Sequence, residues 1–234
     1  MDNGDLSTYL ATCRNAPRVP LILDIISGIQ HMHSLDIVHG DLKARNVLVS
    51  NSRRAMLADF GISHVPTTPL DTTMDIAGTF NWMAPELFND GVLPTRESDI
   101  WAFSCTCYEM MTYKRPYHGL RQPFQVVGAL VRGEIPRRPK RGEGTHEGYK
   151  TDEIWNMMEK CWFKDPKSRP KSDEIRRTLE KMKYPDSRPS LDPNISGLVV
   201  ELAGIRYEPD IDYKHVLFIL ERVKDTSLAC PIAD

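Results

Sequence analysis

The sequence predicts a mainly α-helical fold with a few short β-strands. Two observations carry this. Long stretches, of which residues 19–33 are the clearest, show apolar residues at helical spacing or read as capped helices. The early strand signals, by contrast, are three short apolar runs between residues 37 and 58. The chain has 234 residues, 41% hydrophobic and 26% charged, the balance of an ordinary globular domain. A chain of this length buries roughly 70% of its extended surface, enough for one sizeable core.

Residues 5–14 read as a short helix, with Asp5 or Ser7 as the candidate cap. Pro17 and Pro20 interrupt it. Leu21, Ile22, Ile25, Ile26, Ile29 and Met32 then mark a buried helix from Val19 to about His33. Ile37-Val38, Val47-Leu48-Val49 and Ala55-Met56-Leu57-Ala58 read as short strands separated by turn-forming residues. Residues 62–77, rich in Thr and Pro, lack a period and read as a loop. Helices are expected at about 97–112, 123–133, 152–163 and 172–183, with Thr151 or Asp152 capping the third and Ser172 the fourth. Arg137 to Gly148 is expected to be a surface connection. Beyond Lys183, Pro185, Pro189 and Pro193 suggest a linker, followed by a strand at Leu198 to Leu202 and a helix at about 213–224.

Composition excludes several function classes. Thirty basic and thirty-two acidic residues give a net charge of −2, with no electrostatic footprint for nucleic acid or an anionic membrane. No stretch approaches the roughly 20 apolar residues of a membrane span, and the acidic start Met1-Asp2-Asn3-Gly4-Asp5 does not read as a signal peptide. Five scattered cysteines fit a reducing compartment, so a cytoplasmic location is expected. Cys105-x-Cys107 lacks the spacing of a zinc or redox site and reads as core packing. His31 and His33 lie two apart, not at the three or four of a helical metal site. Arg132, Arg137, Arg138, Lys140 and Arg141 read as a solvated loop. Met157 and Met158, with Trp155 and Trp162, are expected to fill a core.

The chemistry gathers between the short strands. His39-Gly40-Asp41-Leu42-Lys43-Ala44-Arg45-Asn46 precedes one of them, and Asp59-Phe60-Gly61 follows another. Phosphoryl transfer needs a carboxylate to orient a hydroxyl, hard oxygen ligands for Mg²⁺, and a cation beside the moving group. Asp41, Asn46, Asp59 and Lys43 supply that set. A single loop Asp, taken alone, is more often a turn former or cap.

On these residues the sequence resembles the protein kinase family. The first segment is similar to the catalytic-loop signature H-R-D-L-K-x-x-N, Asp59-Phe60-Gly61 to D-F-G, and Ala84-Pro85-Glu86 to A-P-E. Gly78-Thr79-Phe80-Asn81-Trp82-Met83 resembles the G-T-x-x-W-M of the tyrosine-kinase-like Ser/Thr group. Ser98-Asp99-Ile100-Trp101-Ala102-Phe103-Ser104 resembles the D-V-W-S-F-G helix. Cys161-Trp162-Phe163-Lys164-Asp165-Pro166 through Arg169-Pro170 resembles C-W-x-x-D-P-x-x-R-P. The resemblance implies the fold of a protein-kinase C-terminal lobe over residues 1–183, starting at the hinge, with an extension of unknown role at 184–234.

It also implies roles. Asp41 would be the catalytic base, Lys43 would offset charge on the transferring phosphoryl group, and Thr79 would support both. Asn46 and Asp59 would hold Mg²⁺. Lys43 and Asp59 would also contact ATP, Leu48 would floor the adenine pocket, and Asp5 would reach the ribose. Glu86 and Arg169 match a structural ion pair, Asp99 the acid that tethers the catalytic loop, and His39 a structural residue. Lys43 leans the specificity towards Ser/Thr, although Asp41-Leu42-Lys43-Ala44-Arg45-Asn46 mixes both patterns. The implied partner is a protein substrate, with no nucleic acid and no membrane.

Two departures stand out. Gly40 replaces the Arg that in the family pairs with a phosphorylated activation loop, so phosphorylation at Thr67, Thr68, Thr72 or Thr73 is not expected to be the on-switch. The sequence also shows no Gly-rich loop, no V-A-I-K lysine and no partner Glu before His39. The expectation is a chain that lacks the N-terminal lobe and is weak or inactive alone. Such a chain would work with an upstream lobe or a partner kinase. The alternative is a lobe-only pseudokinase acting as a binding or regulatory module. Val216, Leu217, Leu220 and Val223 approximate a helical apolar face, expected to dock on the large lobe.

Overall fold

The computed structural model describes residues 3–58, 80–140 and 151–182. All of them belong to one compact unit, residues 2–188. Helix α1 (Leu6–Thr12) begins where Asp5 accepts the Thr8 amide N–H at 3.0 Å, so Asp5, not Ser7, is the cap. Helix α2 (Arg18–Ser34) follows, with Leu21, Ile22, Ile25, Ile26 and Ile29 almost fully buried. Strands β1 (Val47–Val49) and β2 (Ala55–Leu57) form an antiparallel hairpin, pairing Val47 with Leu57, Leu48 with Met56 and Val49 with Ala55.

Helix α3 (Arg96–Thr112) is the central element. Thr95 and Ser98 exchange side-chain and backbone hydrogen bonds at its start, the reciprocal cap that satisfies two orphan N–H groups. It is buried on nearly every side from Ser98 to Thr112, which is why its sequence shows little amphipathic period. Helices α4 (Pro123–Val131), α5 (Thr151–Cys161) and α6 (Ser172–Glu180) complete the body. Helix α2 packs on α3, α6 and β2, and α3 packs on α5.

The core explains the residues the sequence assigned to it. Tyr108, Trp155 and Trp162 form a cluster with ring centroids 5.9–6.4 Å apart, and Met157 and Met158 are buried beside them. The Ser104 hydroxyl donates to the Met158 carbonyl at 3.0 Å, tying α3 to α5. Cys105, Cys107 and Cys161 are free and fully buried, and burial pushes their thiols up, Cys161 to about 12. Asp24 in α2 joins the hairpin, pairing with Arg54 at 2.6 Å and accepting the Ala55 N–H at 3.0 Å.

Four local expectations need correction. Ile37-Val38 is no strand: Val38 is buried but makes only an isolated bridge. Ser172 is the first residue of α6, and the preceding Lys171 N–H donates to the Glu174 carboxylate. Helix α4 stops at Val131 because Gly133 adopts φ 77°, letting Gly133 N–H reach Leu130 O and Glu134 N–H reach Ala129 O. Three short 3₁₀ turns, Ala44–Asn46, Pro85–Phe88 and Pro166–Ser168, were not anticipated. The expected loop at 62–77, the linker, the strand at 198–202 and the helix at 213–224 with its docking lie outside the described residues. Among those described, no helix is long and apolar enough to cross a membrane.

Candidate active site

The loop from His39 to Lys43 and the turn Ala44–Asn46 run along α3 into β1. Asp99 of α3 fastens the start of this loop. Its Oδ2 accepts the His33 Nε2–H and the His39 amide N–H, and its Oδ1 accepts the Gly40 N–H, all at 2.9 Å. Asp99 is almost fully buried, and three donors offset the cost of burying that charge. Gly40 sits at φ 79°, a left-handed conformation that favours glycine. His39 is fully buried, and burial, opposed by the nearby Asp99 and Asp41 charges, pushes its imidazole below the ordinary range. The neutral ring accepts the Asp41 N–H at Nδ1, 3.3 Å away.

Asp41, Lys43 and Asn46 come together on this frame. The Lys43 Nζ lies 2.6 Å from Asp41 Oδ2, and the Asn46 amide donates to the same oxygen at 2.9 Å and to the Asp41 carbonyl at 2.8 Å. Asp41 Oδ1, though buried, has no hydrogen-bond partner among the described residues. Because the Asn46 amide nitrogen is spent on Asp41, its carbonyl oxygen is the end left for a cation. The turn is set on the hairpin by the Ala58 N–H, which donates to Asn46 O at 2.9 Å.

Leu48 is half-buried between the buried Val47 and Val49, so its side chain takes the other face of the strand. Asp5 bridges to Leu48, and Val49 N–H donates to Gly4 O at 2.9 Å, so the two predicted nucleotide contacts are neighbours. The Asp5 carboxylate is already engaged by the Thr8 N–H and, at 2.7 Å, by the Thr8 hydroxyl. Partial burial opposes ionisation there, and these hydrogen bonds outweigh it, holding the acid below its usual range. Asp59 and Thr79 lie outside the described residues.

Behind the loop, Glu86 and Arg169 pair bidentately at 2.6 and 2.7 Å. Arg169 also donates to Phe163 O and Glu97 O at 2.9 Å and lies over the Trp101 ring at 5.0 Å. Sequence reading missed one acid. Glu109, partly buried in α3, accepts the Ala44 N–H at 2.9 Å and the Trp82 indole N–H at 2.8 Å, both at Oε2. Burial pushes its carboxyl up to about 7, against the pull of those two donors and of Arg45 and Lys43. The available signal was an isolated acid within the otherwise uncharged run Ile100 to Thr112.

The comparisons with known proteins bear on the same residues. The sequence model of the protein tyrosine and serine/threonine kinase family matches residues 1–179. The RGS domain-containing serine/threonine-protein kinase A of Dictyostelium discoideum is 32% identical over 193 residues, covering 81% of this chain and 16% of that protein. From Arabidopsis thaliana, serine/threonine-protein kinase STY17 is 32% identical over 68% of this chain and 26% of its own length. Serine/threonine/tyrosine-protein kinase HT1, also from Arabidopsis, is 31% identical over 69% of this chain and 39% of its own length. The chain thus spans well under half the length of these relatives. With six motifs in family order and a family match over most of its length, the chain belongs to the protein tyrosine and serine/threonine kinase family.

Proposed function

We propose that this domain serves the transfer of the ATP γ-phosphoryl group to a Ser or Thr hydroxyl of a protein substrate. One observation carries the reading. Asp41 has one carboxylate oxygen held by Lys43 and Asn46 and the other buried without a hydrogen-bond partner among the described residues. A base needs an oriented carboxylate with one oxygen still able to accept.

The remaining roles follow from chemistry and family resemblance. Asp41 Oδ1 accepts the hydrogen bond of the substrate hydroxyl and aims it at phosphorus. Lys43 offsets negative charge on the transferring group, and Thr79 supports Asp41 and Lys43. The Asn46 amide oxygen and the Asp59 carboxylate are hard donors of the kind Mg²⁺ takes, and would hold it. When bound, Mg²⁺ neutralises charge between the phosphates. Leu48 floors the adenine, while Asp59 and Lys43 face the phosphates. Asp5 reaches the ribose with whichever lone pairs the helix cap leaves. Lys43 favours Ser/Thr over Tyr.

The sequence contains no Gly-rich loop or V-A-I-K lysine. We therefore assign the roof of the nucleotide site to an N-terminal lobe on a longer polypeptide or to a partner kinase, and the setting to the cytoplasm. The test is Mg·ATP binding by thermal shift together with transfer to a generic Ser/Thr substrate. Ligand at 100 times its dissociation constant adds about 2.7 kcal/mol of stability. Binding is the expected result, with transfer that is weak in this chain alone and is lowered about 10²- to 10⁴-fold by Asp41→Asn. Absence of any shift at millimolar Mg·ATP removes the reading for this chain and leaves the binding-module alternative.

A further inference from the structure

A buried charge away from the catalytic loop lacks a counter-ion. Arg18, the first residue of α2, is 2% exposed. Buried charges are as a rule paired with an opposite charge, yet no carboxylate pairs with Arg18 among the described residues. Its guanidinium donates to three carbonyls instead: Nε to Met110 O at 2.9 Å, Nη1 to Ala16 O at 2.6 Å and Nη2 to Arg14 O at 3.1 Å. Nη2 also donates to the Tyr113 hydroxyl at 2.6 Å. Burial pushes the guanidinium below its ordinary range, opposed by Tyr113 and Tyr9 rather than by any carboxylate. The sequence accounts for the shortage. Residues 13–23 and 110–133, which supply these groups, contain no Asp or Glu.

Tyr113 is the group on which the missing charge can be placed. It caps the C-terminus of α3 at φ 58° and is partly exposed. Two guanidiniums lie over its ring, Arg18 at 5.3 Å and Arg14 at 5.4 Å from the centroid. Its hydroxyl donates to Arg14 O at 3.1 Å while accepting from Arg18. Arg14 is exposed, and its guanidinium makes no hydrogen bond among the described residues. Lys114 and Arg115 come next in the chain, exposed and without an ion pair among the described residues. A phosphoryl group on Oη removes the proton donated to Arg14 O, but that carbonyl keeps the Arg18 Nη2 donor. The phosphate brings a charge of about −1.5 to −2 and three strong acceptor oxygens. It supplies the buried guanidinium with a counter-ion and the idle Arg14 guanidinium with an acceptor. The hydroxyl also lies at the N-terminal end of α2, the end that favours an anion.

We propose that Tyr113 is a phosphorylation site, whose phosphate is clamped by Arg14 and Arg18 and locks the turn between α1 and α2 onto the end of α3. The phosphoryl donor is Mg·ATP and the enzyme a separate tyrosine-directed kinase. The hydroxyl is freed for transfer when its two hydrogen bonds open. The Tyr113 Oη–P bond forms, the bond from the γ-phosphorus to the β-bridging oxygen breaks, ADP leaves, and the phenolic proton passes to that kinase's base. Because a separate enzyme makes the modification, the proposal does not rest on the phosphoryl-transfer reading of this chain.

For the test, the full chain is treated with a purified broad-specificity tyrosine kinase and Mg·ATP. Mass spectrometry locates the modified residues, and the modified chain is separated and melted beside the parent. Phosphate on Tyr113 is expected, with a rise in Tm on the order of 5 °C, the scale of one added charge-assisted hydrogen bond. The rise is absent from Tyr113→Phe treated in the same way. It falls by about half or more in Arg14→Gln, an exposed substitution that leaves Arg18 in place, and this variant carries the test if Tyr113→Phe does not fold. A Tyr113 left unmodified overturns the proposal. So does a chain modified at Tyr113 that melts at or below the Tm of the parent, or a rise that Arg14→Gln leaves intact. A rise of the same size when inorganic phosphate is added to the unmodified chain assigns the clamp to a free anion and overturns the covalent site.

Discussion

Two ion pairs of equal length in this domain are built differently. Arg169–Glu86 and Lys43–Asp41 both close at 2.6 Å. Arg169 is buried and spends its nitrogens on both Glu86 oxygens and two carbonyls. The Lys43 and Asp41 side chains are more open, 22% and 17% exposed, and one Asp41 oxygen is uncommitted among the described residues. A pair that joins segments is saturated. The pair proposed to do chemistry keeps one acceptor in reserve among the described residues. The two should therefore answer mutation in opposite ways.

Arg169→Ala should give the largest loss of stability, about 3–5 kcal/mol in urea unfolding, because it strands Glu86 and removes the guanidinium from the Trp101 face. A loss under about 1 kcal/mol would show that the saturated pair is not the stronger one. Asp41→Asn should do the reverse. Transfer should fall about 10²- to 10⁴-fold, the usual worth of a general base. Stability should change by less than about 1 kcal/mol, since a partly exposed pair contributes little.

Glu109 stands between the two cases, and pH should reveal it. Its folded carboxyl, pushed up to about 7 from the usual 4.5, binds a proton that the unfolded chain releases at lower pH. Its contribution is fully present below about pH 4.5 and is lost as pH rises through about 7, by up to about 3 kcal/mol. Denaturation series between those values should show the decline in the parent and a flatter profile in Glu109→Gln. A smaller loss than that of Arg169→Ala is expected of Gly40→Arg, which restores the family residue in a left-handed conformation. It should cost about 1–2 kcal/mol. No loss would mean that the loop relaxes away from φ 79° and that the Asp99 anchor tolerates it.

Much of this frame was legible in the sequence. Helical spacing placed α2, and short apolar runs bounded by turn residues placed β1 and β2 within a residue. Asp99, Glu86 and Arg169 were picked out by motif, and each makes the contact its motif implies. Asp41, Lys43 and Asn46 were grouped by spacing, and five residues of loop suffice to bring them together. Glu109 was not found, because its partners are an amide and an indole 65 and 27 residues away, and one of them leaves no mark in the sequence. The 3₁₀ turns were missed because three or four residues are too few to show a period.

By itself the sequence determined which elements form and which side-chain chemistry the loop carries, since both depend on local spacing and residue type. The tertiary structure alone decided where the charges end up. It set the Asp5 cap beside Leu48, turned Gly40 left-handed towards Asp99, and left Asp41 Oδ1 without a partner among the described residues while saturating Glu86. The physical reason is that backbone amides have no sequence signature, yet here they supply the donors that orient Asp99 and Glu109, and through them the loop that carries Asp41.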